Sequence, residues 1–124
     1  MVREGYQLNH PVSAVPAPAR KGALPSTGSI LALSDGHTVL DTLKVAEDGT
    51  GMMFRLYESS GGREAAFIRL DVGELLSAGE TALSETDLAE KATGRLIPIR
   101  DGVAAFSINP YEVLTFKLGA DQVR

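Results

Sequence analysis

The sequence predicts an all-β domain, an antiparallel β-sandwich of about seven to eight short strands. Apolar and polar residues alternate over several short runs, the period of a strand with one buried face. Turn pairs rich in glycine separate those runs at the spacing of a sandwich or barrel. No internal repeat of the solenoid type interrupts the pattern.

The chain opens on a different texture. Residues 10–29 hold four of the six prolines, Pro11, Pro16, Pro18 and Pro25, with alanine, glycine and serine between them. Proline fixes φ and removes a backbone donor. Residues 1–29 therefore read as an extended Pro/Ala-rich connector from a preceding domain, residues 30–118 as the sandwich and residues 119–124 as a tail. Strands are expected near 30–34, 38–46, 51–58, 64–71, 82–88, 103–108 and 111–118. Residues 72–78 suit either one helical turn or a loop.

Each strand has a face. Met52, Phe54 and Leu56 oppose Met53, Arg55 and Tyr57, while Ala66, Ile68 and Leu70 oppose Phe67 and Arg69. Ala104, Phe106 and Ile108 form a third apolar set, and Leu114, Phe116 and Leu118 oppose Val113, Thr115 and Lys117. Phe54, Leu56, Ile68, Phe106, Leu114 and Phe116 are the expected core. Ser34-Asp35-Gly36, Asp48-Gly49, Ser60-Gly61-Gly62, Asp101-Gly102 and Asn109-Pro110 supply the turns.

Composition narrows the function. At 124 residues the chain suits one domain. Hydrophobic residues make up 44% of it, which opposes disorder. The net charge is −4, and the twelve basic residues never cluster beyond Arg20-Lys21, so a nucleic-acid partner is not expected. No apolar run nears the ~20 residues that span a bilayer, so no membrane partner is expected. The absence of cysteine removes disulfides and thiolate zinc sites and fits a reducing compartment. With no signal-peptide core in residues 1–6, a cytoplasmic location is expected.

Catalytic signatures are missing. His10 and His37 stand 27 residues apart, without metal-site spacing, and read as surface residues. No serine sits in a Gly-x-Ser-x-Gly elbow, and Gly49-Thr50-Gly51 falls in a hairpin rather than a strand-to-helix phosphate turn. Sixteen carboxylates select no particular acid–base pair. Catalytic, cofactor-binding and metal residues are therefore all assigned as none. Tyr57 reads as a partly buried tyrosine with a satisfied hydroxyl. With Arg55 on the same face, it would otherwise form a small polar platform for a sugar.

Three motifs carry a resemblance. The run Lys44-Val45-Ala46-Glu47-Asp48-Gly49-Thr50-Gly51-Met52-Met53-Phe54-Arg55-Leu56-Tyr57-Glu58 is followed by Glu85-Thr86-Asp87-Leu88-Ala89-Glu90 and by Asn109-Pro110-Tyr111-Glu112-Val113-Leu114-Thr115-Phe116-Lys117-Leu118. In type, order and spacing they resemble the C-terminal β-sandwich of family 38 glycoside hydrolases, the α-mannosidases. Tyr6-Gln7-Leu8-Asn9-His10-Pro11 is similar to the Leu-Asn-x-Pro stretch that precedes that region.

The resemblance implies a large enzyme that cleaves α-linked mannose with retention. Its catalytic aspartates and divalent metal, such as zinc, would lie in an N-terminal barrel. This chain is then a fragment without a cofactor of its own. It is expected to be a non-catalytic accessory domain that stabilises the catalytic assembly and borders the sugar cleft. The remaining domains are its partners, and mannoside is reached only through the parent. The alternative is a free-standing β-sandwich module that binds carbohydrate or protein.

Lys44, Glu47, Arg55, Tyr57 and Glu58 are the expected docking or sugar-facing surface, with the charged residues paired across the hairpin. The competing reading is a solvated salt-bridge face worth roughly 0–1 kcal/mol per pair. With the preceding domain absent, residues 1–29 are expected to be mobile or to self-associate with another copy.

Overall fold

The computed structural model describes residues 2–19, 21–22, 29, 31–33, 37–62, 64–70 and 82–119. Among the described residues one helix, α1 (Val2–Asn9), precedes eight strands. These are β1 (Leu31–Leu33), β2 (Thr38–Val45), β3 (Gly51–Glu58), β4 (Glu64–Leu70), β5 (Ala82–Thr86), β6 (Ala92–Arg100), β7 (Val103–Ile108) and β8 (Val113–Gly119). All pairings are antiparallel, in the order β1-β4-β7-β6-β5-β8-β3-β2.

The order folds into two layers because β6 changes partner along its length. Residues 92–98 pair with β5, and Ile99 and Arg100 pair with β7. Strands that switch sheets make the corners of such sandwiches. β6 is missing from the strands expected from sequence because Gly94 and Pro98 both count against a strand interior. Pro98 stands where the strand changes sheets, and Gly94 has φ of 91°.

The expected inward rows meet between the layers. Phe54 and Leu56 of β3, Ile68 of β4, Phe106 of β7, and Leu114 and Phe116 of β8 all belong to the buried core, with Leu83, Ile97 and Ile108. Phe106 and Phe116 pack across the layers at 5.0 Å and 59°, the tilted geometry that aromatic pairs favour.

The hairpins follow their turn chemistry. Asp101 and Gly102, an expected turn, have φ of 51° and 74° and form the two-residue connection between β6 and β7. At the β2–β3 turn Gly49 has φ of 73° and donates to the Ala46 carbonyl. The Ser34-Asp35-Gly36 turn, residues 72–78 and residues 120–124 of the tail lie outside the described residues. Residues 2–9 carry the helix, and residues 11–19 have no regular structure.

Candidate functional site

The outward face of β3 and β8 is where the motif residues gather. Alternation turns Met53, Arg55 and Tyr57 away from the Phe54–Leu56 row. The register then lays Lys44, Met53, Lys117 and Ser84 side by side across β2, β3, β8 and β5, with Thr42, Arg55, Thr115 and Thr86 as the next row. Met53 is nonetheless only 2% exposed, so this face is partly covered.

Part of the cover is the turn from β5 to β6. Asp87 accepts hydrogen bonds from the backbone N–H groups of Ala89 and Lys91 and fixes its shape. Glu90 sits at φ 62°, in the left-handed region that a side chain seldom adopts. Its carboxylate reaches the β2–β3 hairpin, accepting the Glu47 N–H at 2.8 Å and pairing with Lys44 Nζ at 2.5 Å. Those two contacts, the Glu47 N–H first, hold the Glu90 pKa below the usual carboxylate range. The Glu90 hydrogen bond in turn raises that of Lys44.

A second ion pair stands beside the first. Lys117 Nζ donates to Asp48 Oδ2 at 2.5 Å and to Thr50 Oγ1 at 2.7 Å. Lys117, then the Thr50 N–H and hydroxyl, lower the Asp48 pKa to about 2. The two pairs frame a cleft of about 200 Å³ lined by Asp48, Ser84, Thr86, Glu90, Ala92, Lys117 and Gly119. A wider hollow of about 530 Å³ lies between α1 and Asp41. Its wall includes Tyr6, whose hydroxyl donates to Asp41 at 2.9 Å and also bonds Tyr57, which raises its pKa.

Glu58 does something else. It extends the inward row of β3 and is 1% exposed at the rim of the sandwich. Its carboxylate accepts the Ser60 hydroxyl and the N–H groups of Ser60, Gly61 and Tyr111, the last at 3.0 Å. Burial alone would push its pKa up; these four donors outweigh it and bring the value to about 2. Glu112 acts in parallel, accepting the backbone N–H and side-chain amide of Asn109. The two glutamates fix the Asn109–Glu112 turn that opens β8.

The five residues expected as one surface thus divide. Lys44 and Glu47 gather around Glu90, and Arg55 and Tyr57 share the outward face. Glu58 is a buried clamp. Charged residues do not pair across the hairpin, since Lys44 stands opposite Met53, Arg55 opposite Thr42 and Glu58 opposite Thr38. The cleft residues Asp48, Ser84, Thr86, Glu90 and Lys117 were not singled out from sequence. The available signal was that the hairpin motif, the Glu85–Glu90 motif and the last-strand motif each supply one wall.

The model of the glycosyl hydrolases family 38 C-terminal β-sandwich domain matches residues 37–116. The chain belongs to that family. Its matched span opens just before β2 and closes within β8, so it contains the Glu58 clamp and most of the cleft, with Lys117 and Gly119 just beyond it. Alpha-mannosidase 2C1 of Homo sapiens is 28% identical over 121 residues, covering 95% of this chain. The chain spans 11% of the length of that relative. No solved structure matches it.

Proposed function

We propose that the chain is a non-catalytic accessory domain of an α-mannosidase, with hydrolysis of α-linked mannosides carried out by the parent enzyme. The observation that supports this most is the match to a C-terminal domain family together with a relative of which the chain covers 11%. The site chemistry agrees. Glu58, the buried carboxylate among the described residues, has its oxygens engaged by four donors and is held ionised, which suits a clamp and not a proton donor. The cleft carboxylates Asp48 and Glu90 are committed to Lys117 and Lys44.

A divalent metal such as zinc has no ligand set here, because no group of three or more His, Asp or Glu side chains converges among the described residues. Its place in this reading is another domain of the parent. Among the described residues no helix is long and apolar enough to cross a membrane.

The outward face carrying Lys44, Glu47, Arg55 and Tyr57 is the surface that would dock on the remaining domains. Half-buried Arg55 and Tyr57 supply a planar cation and an aromatic ring, groups favoured at interface cores. The test is Arg55→Glu, made in the longer enzyme and in this chain alone. Docking requires that the substitution lower the melting temperature and activity of the longer enzyme while leaving that of the isolated chain nearly unchanged. Equal behaviour of the substituted and unsubstituted longer enzyme excludes this face as the contact.

A further inference from the structure

We propose that the outward face of β4 and β7 is a docking surface for an acidic segment from another domain of the parent enzyme. The register builds this face in rows. Arg69, Val103 and Arg100 stand side by side on β4, β7 and β6, and Phe67 lies beside Ala105 in the next row. Their chain neighbours Ile68, Ala104 and Phe106 belong to the core, so alternation turns these residues outward. Phe67 is 43% exposed, and Arg69, Ala105 and Arg100 are exposed as well. An aromatic ring and small apolar side chains laid flat on adjacent strands are the composition of an interface core.

The two arginines select the chemistry of the partner. On the opposite sheet Lys44, Arg95 and Lys117 each pair with a carboxylate of this chain. Arg69 and Arg100 have no ion-pair partner among the described residues, although the chain carries sixteen acidic side chains and a net charge of −4. No acidic residue stands in either row. Two strand spacings, roughly 10 Å, separate the two arginine backbones, so two carboxylates of one segment can be met at once. The guanidinium fork matches a carboxylate with two parallel hydrogen bonds, and its weak hydration suits a contact that excludes water.

Size decides between a second copy and the parent. Three strands at the usual spacing give a face of roughly 200–300 Å², against ~800 Å² per partner in a stable complex. Paired with itself, the face would also set guanidiniums against guanidiniums. A contact of this size holds within one polypeptide, where tethering supplies a high effective concentration. The chain spans 11% of the length of alpha-mannosidase 2C1 of Homo sapiens, so most of an enzyme of that length is available as the occupant. The inference rests on the accessory-domain reading and adds a second face to it, on the other sheet from Arg55 and Tyr57.

The experiment is hydroxyl-radical footprinting of Phe67 in the longer enzyme and in this chain alone, each with and without the pair Arg69→Glu and Arg100→Glu. In the unsubstituted longer enzyme Phe67 should be oxidised about fivefold more slowly than in the isolated chain, as burial of a ring now 43% exposed requires. Charge reversal should restore the rate of the isolated chain. It should leave the melting temperature of the isolated chain nearly unchanged, because both arginines are exposed. Equal oxidation of Phe67 in the two unsubstituted proteins overturns the inference, needs no variant to fold, and leaves the accessory-domain reading to its own test with Arg55→Glu. Protection that survives charge reversal overturns the acidic partner. Protection of Phe67 in concentrated isolated chain, with dimers in sedimentation, gives the face to a second copy and overturns the proposal as well.

Discussion

Glu58 Oε2 accepts the backbone N–H of Tyr111 at 3.0 Å, tying the end of β3 to the turn that opens β8, 53 residues further on. The same carboxylate holds Ser60 and Gly61, so one side chain organises two connections. Each of the two motifs that meet there supplies a glutamate, Glu58 and Glu112, whose carboxylate closes a backbone turn.

Acid should act through this clamp. The Glu58 pKa is depressed from 4.5 to about 2, so its contribution to stability is fully present above pH 4.5 and is lost as pH falls towards 2. Glu58→Gln replaces one acceptor oxygen with an amide donor that faces other donors. The variant should melt lower at neutral pH and lose less additional stability between pH 4.5 and 2, as measured by melting temperature against pH.

Lys117→Met should release Asp48. Its pKa, now about 2, should climb towards the ordinary 3.8 once the ammonium is gone. Titration of the Asp48 side-chain carboxyl by NMR reads this directly. An unmoved value would mean that Thr50 alone holds the carboxylate.

Gly61 has φ of 82°, and an added Cβ would lie 2.5 Å from the Tyr111 hydroxyl. Tyr111 is 72% exposed, so its ring can swing away and the lasting cost of Gly61→Ala is in the backbone. The substitution should destabilise by about 1 kcal/mol or more in chemical denaturation. Adding Tyr111→Ala should recover little of that loss.

Phe116 is fully buried against Phe106. Phe116→Ala should cost about 3–5 kcal/mol. A near-neutral result in chemical denaturation would place β8 in another register.

The core was legible in the sequence because alternation is a local signal. Phe54, Leu56, Ile68, Phe106, Leu114 and Phe116 could each be assigned a face without knowing the neighbouring strand. β6 was not legible, because Gly94 and Pro98 hide a strand whose job is to turn a corner. The cleft was hidden for a different reason. Asp48, Thr86, Glu90 and Lys117 come from separate motifs, and only the register of β5 on β8 with the reach of the left-handed Glu90 unites them. Glu58 looked like a surface charge because glutamate is seldom buried. Its four donors come from backbone and side-chain groups in two separate turns, which no spacing in the sequence reveals.

The most direct test of the accessory role is the rate at which the purified chain hydrolyses an aryl α-mannoside, measured with and without added zinc. The expected rate equals that of a protein-free blank in both cases, since the buried carboxylate is a saturated clamp and the cleft carboxylates are ion-paired. Steady release of the aryl group in proportion to chain concentration, abolished by substitution of Asp48 or Glu90, would show that this domain carries catalysis itself.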